Sequence, residues 1–176
     1  MDRRFLGESL NKVDGKGRVS IPAKFRRVLQ NCDKDYAPGG APRLYIAYGD
    51  PKKTYLECLS GDAFDQIDQM IQQLTPGSPL KKAMSYLYYT KCDATLLDDT
   101  GRLVLSQAAR EKIDVDGEAL FQGHGDQFHI LKPSEASAAD EDYEAMLAEM
   151  GQDDAYFDPL AAAYRELAAR KVEPAE

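Results

Sequence analysis

The sequence predicts an α+β fold, mainly β, in which one small unit occurs twice and helices flank the pair. Three observations carry this. A motif recurs: Val13-Asp14-Gly15-Lys16-Gly17-Arg18-Val19-Ser20-Ile21 returns as Leu97-Asp98-Asp99-Thr100-Gly101-Arg102-Leu103-Val104-Leu105, an offset of 84 residues. Asp, Gly and Arg coincide, Arg26 matches Arg110, and apolar positions match at 13/97, 19/103 and 21/105. The likeness then continues across a gap, Leu44–Asp50 lining up with Leu120–Asp126 at an offset of 76, and Tyr55–Leu59 with Phe128–Leu131. Finally, both copies are short β-prone runs bounded by Gly, Pro and Asp clusters, whereas helical spacing dominates between and after them. Two copies are too few for a solenoid, so the halves are expected to pack on each other.

The elements follow in order. The first unit covers 7–60, linking helices 61–88, the second unit 89–133 and an acidic helical tail 134–176. A strand is expected over 5–13. The turn Asp14-Gly15-Lys16-Gly17 follows, with Gly17 free to take a positive φ. A second strand, Arg18–Ile21, leads into a helix, with Ser20 as N-cap and Pro22 in its first turn. Phe25, Val28 and Leu29 share the apolar face of that helix, and Lys24 and Arg27 point away. Strands near 43–48 and 54–59 close the unit. The first copy carries a longer loop, Asn31 to Pro42. Phe64, Ile67, Met70, Ile71 and Leu74 make 62–74 amphipathic, and after the break at Thr75–Ser78 a second helix covers 79–87. The second unit repeats the plan, with strands over 89–97 and Arg102–Leu105, the turn at Asp98–Gly101 and Ser106 as N-cap. In the tail, Ser137 to Asp140 is a capping box ahead of Tyr143, Met146, Leu147 and Met150. Asp158-Pro159 opens a last helix lined by Leu160, Tyr164 and Leu167.

Composition narrows the function. At 176 residues, 43% hydrophobic and 30% charged, the chain has a globular balance. It contains no run of about 18 apolar residues for a transmembrane helix. The opening residues, with Arg3 and Arg4 but no apolar stretch behind them, do not read as a signal peptide. Cys32, Cys58 and Cys92 include no Cys-x-x-Cys pair, which argues against a disulfide framework and fits a reducing cytoplasm. No Ser/His/Asp or Cys/His set has supporting spacing, so no enzyme, cofactor or small-molecule substrate is expected.

The net charge of −8 seems to exclude a nucleic-acid partner, but its distribution reverses that. Residues 1–30 hold eight Lys/Arg against three Asp/Glu, a net of +5, while residues 133–176 carry −9. Salt screens charge beyond about 8–10 Å, so the local patch decides binding. The acidic tail reads as a solvated surface. Arg18, just beyond a glycine-bracketed turn, offers a planar fork for a phosphate or a guanine edge, and Asp14 can hold that fork. The candidate DNA-binding residues are Arg3, Lys12, Asp14, Lys16, Arg18, Lys24, Arg27, Asp98 and Arg102. The second copy is poorer in base, so the first is expected to make most contacts and Arg102 to orient the fold or a subunit interface.

Other constellations are weaker. Asp93, Asp98 and Asp99 read as solvated turn positions rather than a metal site. His124 and His129, five apart, are expected on opposite faces of a strand, at the surface or an edge, where they cannot readily share a metal. Gly123-His124-Gly125 is a turn without the strand–helix context of a phosphate loop. Tyr86, Tyr88 and Tyr89 suit an apolar interface better than base stacking.

The doubled Asp-x-x-x-Arg motif, each copy followed by an apolar strand and a helix, resembles the MraZ family of bacterial transcription regulators. Gly17-Arg18-Val19-Ser20-Ile21-Pro22-Ala23-Lys24-Phe25-Arg26 is close to that family's pattern, and Gly123–Phe128 resembles its second-copy strand pair. The likeness covers about 5–150. It departs at the long Cys32–Pro42 insertion, at the missing Ile-Pro pair of the second copy, and beyond about 150. The resemblance implies two tandem SpoVT/AbrB-type swapped-hairpin units forming one pseudo-twofold barrel. It also implies a ring-shaped homo-oligomer, bound in the cytoplasm and on the nucleoid to repeated double-stranded promoter sites upstream of the division and cell-wall genes, without membrane contact. A second reading is an antitoxin-like protein of the same superfamily, whose acidic tail neutralises a basic toxin. Antitoxins of this type usually carry one unit, and this chain carries two. A third is a structural ring with no nucleic-acid role.

Overall fold

Both copies of the repeat fold by the same plan: strand, tight turn, strand, helix, strand, strand. The structure, a computed structural model, describes residues 2–151 and 157–170. The first copy comprises β1 (Glu8–Lys12), β2 (Arg18–Ser20), α1 (Ala23–Asn31), β3 (Arg43–Ala47) and β4 (Tyr55–Ser60). Helices α2 (Gly61–Gln73) and α3 (Pro79–Ser85) and a π-helical turn over Tyr86–Thr90 follow. The second copy comprises β5 (Cys92–Leu96), β6 (Arg102–Val104), α4 (Gln107–Ile113), β7 (Glu118–Gly123) and β8 (Gln127–Leu131). Helices α5 (Glu135–Met150) and α6 (Pro159–Arg170) come last. The chain divides into one unit over Met1–Ala136 and a second over Ser137–Glu176.

Every strand pairing is antiparallel. Six strands form one sheet in the order β1-β7-β8-β4-β3-β5, and β2 and β6 form a separate ribbon. The first strand of each copy pairs with the third strand of the other, β1 with β7 and β5 with β3. Exchanging the copies therefore leaves the pattern of pairs unchanged. The structure is thus mixed, with a mostly antiparallel sheet and several helices, as the sequence predicts. Among the described residues the expected barrel does not close: β2 and β6 pair with each other, and β1 and β5 remain as the two edges of an open sheet. An isolated bridge from Val13 to Val19 joins the strands on either side of the first turn.

The core is drawn from both copies. The rings of Phe5, Phe25 and Phe128 meet at centroid distances of 4.9–5.3 Å. Around them Val19, Ile21, Leu29, Leu44, Leu103 and Leu105 are fully buried. Neither half can bury these side chains alone, which ties the two copies into one folding unit. The Cys32–Pro42 insertion is pinned by Arg43, whose Nε donates to Asp33 at 2.8 Å while Nη1 reaches Asp65 on α2 at 3.1 Å.

Some local expectations change. Ser20 does not cap α1; it is the last residue of β2, and Pro22 takes the N-cap position with no side-chain hydrogen bond. Ser106 does cap α4, accepting from the Ala109 amide at 3.2 Å. The Ile21-Pro22 pair, absent from the second copy, explains the difference: Pro22 supplies the extended cap conformation without a hydroxyl. The helix expected over 79–87 ends at Ser85 and widens into the π turn. Met70 is exposed, while Ile71 is buried.

Helix α5 begins at Glu135, so Ser137 lies inside it rather than at its cap. Asp158 opens α6 as expected, its carboxylate accepting from the Leu160 and Ala161 amides at 3.0 and 3.2 Å.

Candidate nucleic-acid interface

Two near-identical turns present the arginines of the repeated motif. In the first, Asp14 Oδ1 accepts from the amides of Lys16 and Arg18, both at 2.9 Å, and Oδ2 accepts from Arg18 Nε at 2.6 Å. The Gly17 amide donates to the Asp14 carbonyl at 2.9 Å, and Gly17 takes a φ of 80°. In the second, Asp98 Oδ1 accepts from the amides of Thr100 and Arg102, both at 2.9 Å, and from the Thr100 hydroxyl at 2.7 Å. Asp98 Oδ2 accepts from Arg102 Nε at 3.1 Å. Gly101 has a φ of 77°. Glycine supplies this left-handed step, where a Cβ would strain the chain.

These bonds set the charge state. The amide and guanidinium of Arg18 hold the Asp14 carboxyl below its ordinary range. The Thr100 hydroxyl and the Arg102 amide, joined by the other donors, hold Asp98 well below it. Each arginine spends only Nε on its aspartate, and among the described residues the Nη ends have no protein partner. A fixed Nε with outward Nη groups aims the fork at solvent, which suits a bidentate acceptor such as a phosphate or the O6/N7 edge of guanine.

The ribbon sets both forks on one surface. Arg18 pairs with Val104, Val19 with Leu103 and Ser20 with Arg102. Val19 and Leu103 point into the core, so Arg18, Ser20, Arg102 and Val104 share the outer face. Arg102 is thus placed as Arg18 is, exposed beside its own aspartate. The sequence reading gave it a lesser role because few basic residues surround it in the chain; strand pairing brings in the first copy's. Ser20, opposite Arg102, is expected from sequence only as a helix cap, although the period of two along Arg18-Val19-Ser20 signals its place on this outer face.

The remaining candidates separate. Lys16 is exposed in the first turn, and Lys12 is the exposed last residue of edge strand β1. Lys24 and Arg27 lie on the outer side of α1, opposite buried Phe25, Val28 and Leu29, with the Lys24 ammonium 5.6 Å from the Phe25 ring centre. Arg3 is engaged by other partners: it donates to the Asn31 carbonyl at 3.0 Å and reaches Asp62 at 3.4 Å.

The histidines differ from expectation. Their rings stack with centroids 3.9 Å apart, and His129 also stacks on Tyr55 at 3.8 Å. Strand β8 begins only at Gln127, so His124 belongs to the preceding turn and folds back over the strand. Burial, reinforced by His124 and Lys53, pushes the His129 pKa down to about 3. Tyr88 donates to buried Glu57 at 2.8 Å and Tyr89 to Asp68 at 2.7 Å. Among the described residues no helix is long and apolar enough to cross a membrane.

Comparison with known proteins identifies relatives over most of the chain. No protein-family model matches the chain. The transcriptional regulator MraZ of Ruegeria sp. is 45% identical over 161 residues, covering 91% of this chain and 95% of the relative. That of Ruegeria pomeroyi is 44% identical over 165 residues, with the same coverage. That of Cereibacter sphaeroides is 36% identical over 139 residues, covering 75% of this chain and 82% of the relative.

Proposed function

This chain belongs to the MraZ family of transcriptional regulators, and from that premise we propose that it binds double-stranded DNA sequence-specifically through the outer face of the β2–β6 ribbon. The observation that carries this reading is the pair of forks, Arg18 and Arg102, each fixed through Nε and open at Nη. A two-stranded ribbon fits the major groove, where bidentate arginine is the commonest specific contact. Lys12, Lys16, Lys24 and Arg27 supply phosphate contacts that position the ribbon without reading sequence.

The active species is a ring-shaped homo-oligomer larger than a dimer. Exposed Met70, Leu80, Tyr86 and Tyr89 on α2, α3 and the π turn support it, as an apolar surface suited to a head-to-tail contact. The exchanged pairing of first and third strands supports the reading of two SpoVT/AbrB-like swapped-hairpin units about a pseudo-twofold axis. The sites are short promoter repeats upstream of the division and cell-wall genes, and the protein acts on the nucleoid in the cytoplasm. Ribbons side by side on one ring meet adjacent repeats at high effective concentration, so avidity grows with repeat number. Light scattering and a gel shift on duplexes with one, two and three repeats test this. A ring whose affinity rises steeply with repeat number is expected; a monomer, or equal affinity for one and three repeats, contradicts it.

A further inference from the structure

We propose that Arg26 and Arg110 are positioning residues, each fixing the Asp-x-x-x-Arg turn of the other copy. Arg26 leaves α1 and lies across the second turn, Nη1 donating to the Thr100 carbonyl at 3.4 Å. Its guanidinium fills the space that a Cβ on Gly101 would need. Arg110 leaves α4 and lies across the first turn, with Cδ and Nε both 2.9 Å from where a Cβ on Gly17 would stand. The Nε atoms of Arg26 and Arg110 are buried with no hydrogen-bond partner. The main chain follows the same crossing: the Ile21 amide donates to the Gly101 carbonyl at 3.0 Å, and the Leu105 amide to the Gly17 carbonyl at 2.8 Å.

Each turn is thus clamped from within by its own aspartate and from outside by the opposite copy's helix. An arginine serving only as a phosphate contact would keep its head in water. These two have Nε sealed against a turn, where the guanidinium acts as a packed plate under the backbone that carries Arg102 or Arg18. Glycine is needed at 17 and 101 for two reasons, the left-handed φ and the absence of a Cβ beneath the arginine. The crossing makes each fork depend on the other copy, so both forks are set only when the halves are packed together.

This inference deepens the DNA-binding reading and rests on it for its consequence, but the positioning itself is testable without DNA. Amide hydrogen exchange on the free full-length protein compares wild type with Arg26→Met and Arg110→Met, which keep the aliphatic stem. Arg26→Met should speed exchange at Thr100 and Arg102 about tenfold and leave Lys16 and Arg18 unchanged; Arg110→Met should do the reverse. Loosening of the turn in the same copy, or of neither turn, overturns the proposal. Should the Met variants fail to fold, Arg26→Lys and Arg110→Lys carry the same test.

On promoter DNA, Arg26→Met should add less than about twofold to the loss already caused by Arg102→Ala, while multiplying the loss caused by Arg18→Ala. Its salt slope should match wild type; a slope smaller by about one would mark a phosphate contact and overturn the positioning role. If wild type shows no specific binding, the DNA reading fails while the exchange result still decides the crossing.

Discussion

Arg18 and Arg102 stand diagonally across one exposed face of a single ribbon, Val104 opposite the first and Ser20 opposite the second. Diagonal neighbours on an antiparallel pair lie about 7–8 Å apart at Cα. Two residues far apart in sequence thus become one two-pronged surface, held flat by buried Val19 and Leu103 beneath.

The two arginines are placed alike on the ribbon. Arg18→Ala and Arg102→Ala should each weaken specific binding about tenfold to a hundredfold, the range of one bidentate base contact. Fluorescence anisotropy on promoter duplex measures this, with scrambled duplex as reference. Lys16→Ala should instead weaken both duplexes alike and reduce the salt slope by about one.

The aspartates aim the forks. Asp14→Asn keeps an acceptor for the turn amides but puts an uncharged amide beside Arg18 Nε. Specific binding should fall while circular dichroism stays native. The sign with pH follows from the lowered pKa values: folding favours the ionised carboxylates, so the turns gain stability above the ordinary aspartate range and lose it as pH falls below that range. Amide resonances of Arg18 and Arg102 should hold from neutral pH to about 4 and shift only under stronger acid.

His129 gives the acid response a second source. Its pKa is pushed from 6.5 to about 3 by burial first, then by His124 and Lys53. Between those values the unfolded chain binds a proton that the folded chain does not, so stability falls on acidification through that window. At pH 5 the loss is on the order of 2 kcal/mol. His129→Phe, which keeps the stack on Tyr55, should remove this part of the slope in urea unfolding at pH 7 and pH 5. An unchanged slope would place the acid sensitivity elsewhere.

Phe25 is fully buried between Phe5 and Phe128. Phe25→Ala should cost about 3–5 kcal/mol, the usual price of emptying such a site. Because both copies share this core, urea unfolding should remain one transition, with no stable half.

The doubled motif made the repeat, the turns and the strand order within each copy legible in the sequence, since Asp, Gly and Arg recur at one offset with apolar partners around them. What crosses between the copies was not legible. Nothing local in Arg18-Val19-Ser20 says that it pairs with Arg102-Leu103-Val104 rather than with its own first strand. The matching placement of Arg102 and Arg18 is therefore not visible along the chain, and neither is the stacking of the histidines, which arises because β8 begins only at Gln127 and leaves His124 in the turn before it. Ser20 looks like a cap because its hydroxyl suits that role and Pro22 suits a first turn, whereas the backbone keeps Ser20 in β2 and puts Pro22 at the cap.

On the proposed reading, Arg18 and Arg102 together read the DNA from one ribbon. The most direct test is a titration of wild type and the Arg18→Ala/Arg102→Ala double variant on promoter repeats and on scrambled duplex at physiological salt. Wild type should prefer the promoter by about a thousandfold or more. The double variant, still an intact oligomer by light scattering, should bind both duplexes alike. A double variant that keeps the wild-type preference would contradict the account.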